Sequence, residues 1–448
     1  MTTLQNAKGT RDSDPATALQ RGRLLVVLKK TFERFGFAPL ETPVLERFDV
    51  LASKYAGGEE ILKEIFTLED QGKRKLALRY DLTVPLCRYV GSHPELKMPF
   101  KRYQTGPVFR DGPIKLGRYR EFWQCDVDTV GCAAMTADAE LIALAEHALT
   151  QMGFSFEIRI NNRKLLNALL SFFNVPADRH EHMILALDKI EKISVDAVKK
   201  ELIEKGLDKT QTEKLLDLIL GDGAELTTLT LIQKSQIAKQ MGGDEGYQEI
   251  VELFKILQTM NVHHHIRFDP SLARGLAYYT GTVFECFLKG SPITSAVCAG
   301  GRYDNMIGRF LGSKLSYPSV GISFGLDVLA DALAASVPEG KGKAAQQATA
   351  TQVFVAAVGK DEQVRAHMLS VSSALRAAGI NTETDLTSKG PSKNLDYANA
   401  KGIPFVVLIG EDELKAKKVQ VKDMTSGKQE QMTTAALVKK LQGREKED

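Results

Sequence analysis

Read as a strand, RYREFWQCDVD at residues 118–128 turns Arg118, Arg120, Phe122, Gln124, Asp126 and Asp128 to one side, and Tyr119, Glu121, Trp123, Cys125 and Val127 to the other. The first side sets cations at one end, then an amide and two carboxylates spaced about 7 Å apart. Such a set suits one ligand that carries both an anion and a cation. A sheet with one face in water gives the same alternation. Just upstream, FRDGPIKLGRYR gathers Arg110, Lys115, Arg118 and Arg120 around a turn, where Gly112 and Gly117 permit close backbone approach. Clustered cations on a hairpin suit a polyphosphate.

Two later stretches carry similar chemistry. DPSLARGLAYYTG, residues 269–281, sets Arg274 directly against Gly275, follows with Tyr278 and Tyr279, and closes on Gly281. AGGRYDNMIG, residues 299–308, places paired glycines ahead of Arg302, Tyr303 and Asp304. Paired glycines point to backbone packed on a ligand or a neighbouring strand, and equally to a glycine-eased bulge. No P-loop or dinucleotide-binding glycine signature occurs. The consecutive His263, His264 and His265 fan apart on a helix and alternate on a strand, so no metal-ligating residues are assigned.

These residues need elements to hold them. Apolar spacing over residues 19–37 predicts a helix that ends at Gly36. KLALRY, residues 75–80, alternates like a strand, and Asp81 and Thr83 follow as helix-capping residues ahead of Pro85. Residues 103–130 predict a long hairpin connected through DGPIKLGR. From about 162 to 262 one helical pattern follows another, an insertion that interrupts a sheet whose strands resume with HIRFDP. Residues 335–352 are small and polar and read as a linker. Beyond them strand and helix alternate over about 100 residues, as in a small α/β domain.

The bulk numbers bound the class. At 448 residues the chain is long enough for two or three domains. With 43% hydrophobic and 26% charged residues it reads as a folded enzyme-sized protein, and no apolar run approaches the roughly 20 residues of a membrane span. MTTLQNAKGTRD lacks the pattern of a signal or transit peptide, so a cytoplasmic location is expected. Five cysteines without paired short spacings argue against a disulfide framework or structural zinc. The net charge of +3 permits a nucleic-acid partner without arguing for one.

In this order, TPVLE, the VFR…GRYREF hairpin, ARGLAYYTGTVFE, GGRYD and VGISFGLD resemble the motifs of the class II histidyl-tRNA synthetases over nearly the whole chain. The resemblance implies an α+β fold: an antiparallel-sheet catalytic domain over residues 1–334 with the helical insertion, a linker at 335–350, and an α/β anticodon-binding domain at 351–448. It implies activation of L-histidine with ATP and Mg²⁺ to histidyl-adenylate, transfer to tRNA-His, and a homodimer formed around Pro43. By this likeness Arg110 meets the α-phosphate, Arg118 the outer phosphates, and Arg274 the carboxylate and α-phosphate together. Tyr279 and Asp128 would hold the imidazole, Asp81, Thr83 and Gln124 the α-ammonium, while Tyr278 packs on the ligand. Asp111 is the acidic residue expected beside the nucleotide.

Two positions depart from the pattern. Gly112 stands where the second motif usually has a glutamate, and Asp327 and Val328 stand where the third usually reads Glu-Arg. The chain is then either a synthetase using another cation, with Arg302, Arg309 and Lys115 as candidates, or a differently held Mg²⁺, or it is a non-catalytic relative such as the histidine-sensing regulatory subunit of ATP phosphoribosyltransferase. Such relatives generally lack the C-terminal domain and erode the Arg-Gly-x-x-Tyr-Tyr element. This chain keeps both, which favours the enzyme. The lysine-rich C-terminal segment with Lys415, Lys417, Lys418 and Lys422 reads either as a solvated face or as a phosphate contact.

Overall fold

A computed structural model describes residues 4–52, 62–114, 117, 119–190, 193–220, 244–273, 278–313, 315–336 and 349–444. Arg118, Arg274 and Lys115 therefore lie outside the described residues. The chain divides into two compact units, Met1–Arg11 with Arg23–Ser336, and Asp12–Gly22 with Val337–Asp448.

The first helix, α1 (Pro15–Arg34), starts on a proline that needs no N–H partner and stops where Gly36 turns to a φ of +78°. Leu24, Leu28 and Phe32 on this helix are buried. Strand β1 (Ala38–Pro39) follows, then a small antiparallel sheet in the order β2 (Leu45–Arg47), β4 (Lys75–Leu78), β3 (Thr67–Glu69). Helix α2 (Thr83–Ser92) leads into the hairpin of β5 (Phe100–Phe109) and β6 (Glu121–Val130). After helix α3 (Met135–Gln151) come β7 (Phe156–Asn162), β8 (Ile266–Phe268), β9 (Thr282–Leu288), β10 (Cys298–Arg302) and β11 (Ser319–Gly325). They complete an eight-stranded sheet in the order β1-β5-β6-β11-β10-β9-β7-β8. From β5 through β7 every neighbouring pair is antiparallel.

The period of two sorts this sheet into alternating rows. Tyr103, Val127, Ile322, Gly300 and Phe284 stand opposite one another across five strands. Their face packs on α1 and α3 through Phe32, Leu141, Ile142 and Leu144. The rows on either side read Arg102, Asp128, Gly321, Gly301 and Gln104, Asp126, Ser323, Ala299, Glu285. Those rows face away from the helices.

Between β7 and β8, helices Arg163–Phe172, His180–Leu187, Val195–Glu204 and Lys209–Leu220 share a separate core that includes Leu166, Met183, Leu202 and Leu215. Asn162 and Ser194 cap two of them by accepting from Lys164 and Ala197 N–H groups. Asp244–Thr259 instead packs on the main sheet through Ile250, Leu253 and Leu257. His263–His265 form a short 3₁₀ turn, with the His265 ring stacked on Phe156.

The second unit holds a five-stranded sheet in the order Thr382–Thr384, Val353–Ala357, Phe405–Ile409, Val419–Asp423, Gln429–Met432. Its first three strands are parallel and joined by helices, and the last two add antiparallel hairpins. Among the described residues no helix is long and apolar enough to cross a membrane.

Candidate active site

A cavity of about 500 Å³ lies over the polar rows of the large sheet, within the size range of small-molecule sites. Gln124, Asp126 and Asp128 line it side by side, as alternation along β6 requires. Arg102, fully buried on the adjacent strand, places Nη2 2.7 Å from Asp128 Oδ2 and donates to the Leu82 carbonyl. Tyr303 donates its hydroxyl to Asp128 Oδ1. Burial raises the Asp128 carboxyl above the usual range and Arg102 draws it back. Burial also pushes Asp126 up to about 7, against the attraction of Arg102. Gln124 donates to Ser323 Oγ, and Gln124 Oε1 and Asp126 Oδ1 are buried without a hydrogen-bond partner among the described residues. A buried acceptor left this way is costly unless a ligand supplies the donor.

The glycines of the floor make this surface accessible. A Cβ on Gly321 would fall 2.0 Å from Asp128 Oδ1, and one on Gly301 2.9 Å from the Tyr279 ring. The pairing of β10 with β11 and β9 runs without interruption through Gly300 and Gly301, so their place is close approach and not a bulge. Tyr279 is buried beside Tyr278, with ring centroids 4.7 Å apart, and both line the cavity.

The turn that enters α2 forms one wall. Asp81 Oδ1 accepts from the Val84 N–H and does the capping, while Thr83 is the first helical residue and not its cap. The carboxylate acts from one position before the cap, since Leu82 occupies the cap itself. Burial pushes the Asp81 carboxyl up to about 6, with Arg110 and Arg102 opposing. Arg110 donates from Nε to the Tyr80 carbonyl and its guanidinium lies 5.2 Å over the Phe122 ring. That guanidinium is thus fixed before any anion arrives.

The family model for histidyl-tRNA synthetase matches residues 9–329, and the model for the anticodon binding domain matches residues 352–444. The chain belongs to the histidyl-tRNA synthetase family. Histidine–tRNA ligase 1 of Bacillus cereus is 42% identical over 442 residues, covering 98% of this chain and 100% of that protein. The crystal structure of histidyl-tRNA synthetase from Nostoc sp. PCC 7120 superposes with a TM-score of 0.85 at 32% identity, over 99% of this chain and 100% of that one. A Bacillus halodurans structure described as an ATP phosphoribosyltransferase regulatory subunit/histidyl-tRNA synthetase shares the fold, with a TM-score of 0.72 at 22% identity over 91% and 98% of the two chains.

Of the residues expected in the synthetase site, Asp81, Thr83, Arg110, Gln124, Asp128, Tyr278 and Tyr279 all border the one cavity. Asp111 does not. Its carboxylate is turned outward by Arg120, whose Nη1 lies 2.8 Å away, and the residue is exposed. The strand alternation read from 118 to 128 also breaks before residue 121, where β6 begins, and Tyr119 lines the cavity it was expected to face away from. Arg302 cannot serve as the missing cation, because Asp138, Asp304 and two backbone carbonyls hold its buried guanidinium. Arg309 is exposed and forms no part of the cavity wall.

Sequence reasoning missed Arg102, whose place opposite Asp128 follows from a register that no local pattern encodes. It also missed Arg11. Near Val328, which lines the cavity, Arg11 pairs with Asp327 and Asp331 and lies 4.0 Å over the Tyr119 ring. Asp327 meanwhile accepts the Trp123 N–H at 2.7 Å. The acidic residue of the third motif is therefore an anchor between helix α4 (Leu326–Ala335) and β6.

Proposed function

We propose that this cavity binds L-histidine and ATP together, joins them as histidyl-adenylate with release of pyrophosphate, and passes the histidyl group to the terminal adenosine of tRNA-His. One observation carries the reading: acceptors on Gln124 and Asp126 that have no hydrogen-bond partner among the described residues share a single cavity with the anchored guanidinium of Arg110. Such acceptors call for an ammonium and the cation for phosphate.

The histidine carboxylate attacks the α-phosphorus, the bond from that phosphorus to the pyrophosphate oxygen breaks, and the electron pair leaves with pyrophosphate. Negative charge grows on the non-bridging oxygens meanwhile, and a cation fixed in advance stabilises it without rearrangement. Arg110 is such a cation, and the resemblance assigns Arg274 and Arg118 to the same task. Asp81, Thr83 and Gln124 receive the α-ammonium. Its positive charge favours the ionised form of Asp81 that burial disfavours. Asp128 and Tyr279 take the imidazole, with Tyr278 packed against the ligand. Arg102 and Tyr303 hold the Asp128 carboxylate in place, and a carboxylate keeps lone pairs for a third partner. An imidazole slot of this kind rejects isosteres that leave its polar groups unpaired.

Among the described residues no group of three or more His, Cys, Asp or Glu side chains could hold a metal ion. Mg²⁺, which the resemblance implies, would serve alongside ATP by offsetting phosphate charge. A homodimer, a cytoplasmic location and phosphate contacts from Lys415, Lys417, Lys418 and Lys422 complete the proposal. Histidine-dependent exchange of pyrophosphate into ATP tests it: the purified chain exchanges, and Arg110→Ala lowers the rate by about 10²- to 10³-fold while histidine still binds. Full exchange in that variant would remove Arg110 from its role.

A further inference from the structure

Gly112 borders the cavity, is buried, and has a backbone that an ordinary side chain can adopt. A Cβ built there would nonetheless lie 2.8 Å from Oε1 and 3.1 Å from Oε2 of Glu64. The space in which a side chain at 112 would begin is filled by a carboxylate from elsewhere in the chain. That placement is fixed by the backbone, since the Asp111 N–H donates to the Glu64 carbonyl at 2.8 Å. Three residues after Glu64 the chain enters β3, which pairs with β4, the strand that runs into Tyr80 and Asp81. Asp111, the nearest acidic alternative, is held outward by Arg120.

We propose that Glu64 is the carboxylate that reads the nucleobase, accepting a hydrogen bond from the 6-amino group of adenine across Gly112. The inference rests on the reading of the cavity as an ATP site and names a specificity residue within it. Beyond Arg110 the cavity is walled by Phe122, Tyr119 and Val328, surfaces that suit the faces of a flat base. None of these three offers a carboxylate to the edge of that base. Glu64 supplies an acceptor only, so it matches the amine of adenine and opposes the 6-keto oxygen of guanine or hypoxanthine.

The test compares ATP with inosine triphosphate, which differs at that edge, in both pyrophosphate exchange and equilibrium binding by calorimetry. For Glu64→Ala, KM and Kd for ATP rise roughly 10- to 100-fold, those for histidine stay unchanged, and the preference for ATP over inosine triphosphate collapses. Gly112→Asp introduced into Glu64→Ala restores the preference, because its oxygens extend from the very Cβ position that Glu64 now abuts. Glu64→Ala with the wild-type preference intact overturns the proposal, as does parallel loss of histidine and ATP binding. A wild-type chain that binds ATP over inosine triphosphate but performs no exchange would overturn the proposed activity and leave the Glu64 assignment standing.

Discussion

Three carboxylates, Asp81, Asp126 and Asp128, sit buried around one buried guanidinium, Arg102, and that imbalance sets how the free protein responds to pH. Burial lifts Asp126 from an ordinary 3.8 to about 7. The sign follows from proton counting: between those values the folded chain binds more protons than the unfolded chain. The stabilising contribution is then fully present below about pH 4 and lost as pH rises through about 7. Asp126→Asn removes this term. Its unfolding free energy in urea relative to wild type should climb as pH is raised from 4 towards 7, at up to about 1.4 kcal/mol per pH unit. A difference independent of pH would mean that Asp126 stays ionised throughout. At this scale the sequence was partly legible. Gln124, Asp126 and Asp128 stand out because a strand has a period of two, whereas Arg102 looks like any basic residue in a strand until the register sets it against Asp128.

The elements that hold these residues are tied at their ends, and Asp327 shows how. As a first-turn residue of α4 it accepts the Trp123 N–H and pairs with Arg11, joining three segments far apart in sequence. Asp327→Ala leaves the part-buried Trp123 N–H without this acceptor. Equilibrium unfolding in urea should show a loss of about 1–3 kcal/mol, with Asp327→Asn losing less because its amide oxygen still accepts from Trp123. Equal losses in the two variants would place the stabilisation in the charge pairing with Arg11 and not in the Trp123 bond. The β5–β6 hairpin and α1 were legible from periodicity and from Gly36. The tether was not, since from the sequence Asp327 reads only as a departure from a motif. Glu64 was hidden for a related reason: Gly112 reads as an absence until the fold brings a distant carboxylate onto it.

On the scale of the whole molecule, the sheet with one helix-covered face follows from the alternation present along the chain. The change of texture near residue 162 is another such pattern, while most of the linker read at 335–352 lies outside the described residues. What composition could not supply is the convergence of segments near residues 11, 64, 81, 102, 124, 279 and 321, which only the strand order produces. The central claim is that this convergence makes one cavity for both substrates. A crystal structure of the chain with L-histidine and a non-hydrolysable ATP analogue tests it most directly. The account predicts the imidazole between Tyr279 and Asp128, and the α-phosphate at Arg110. Either ligand seated away from the rows of Asp126 and Asp128 would contradict it.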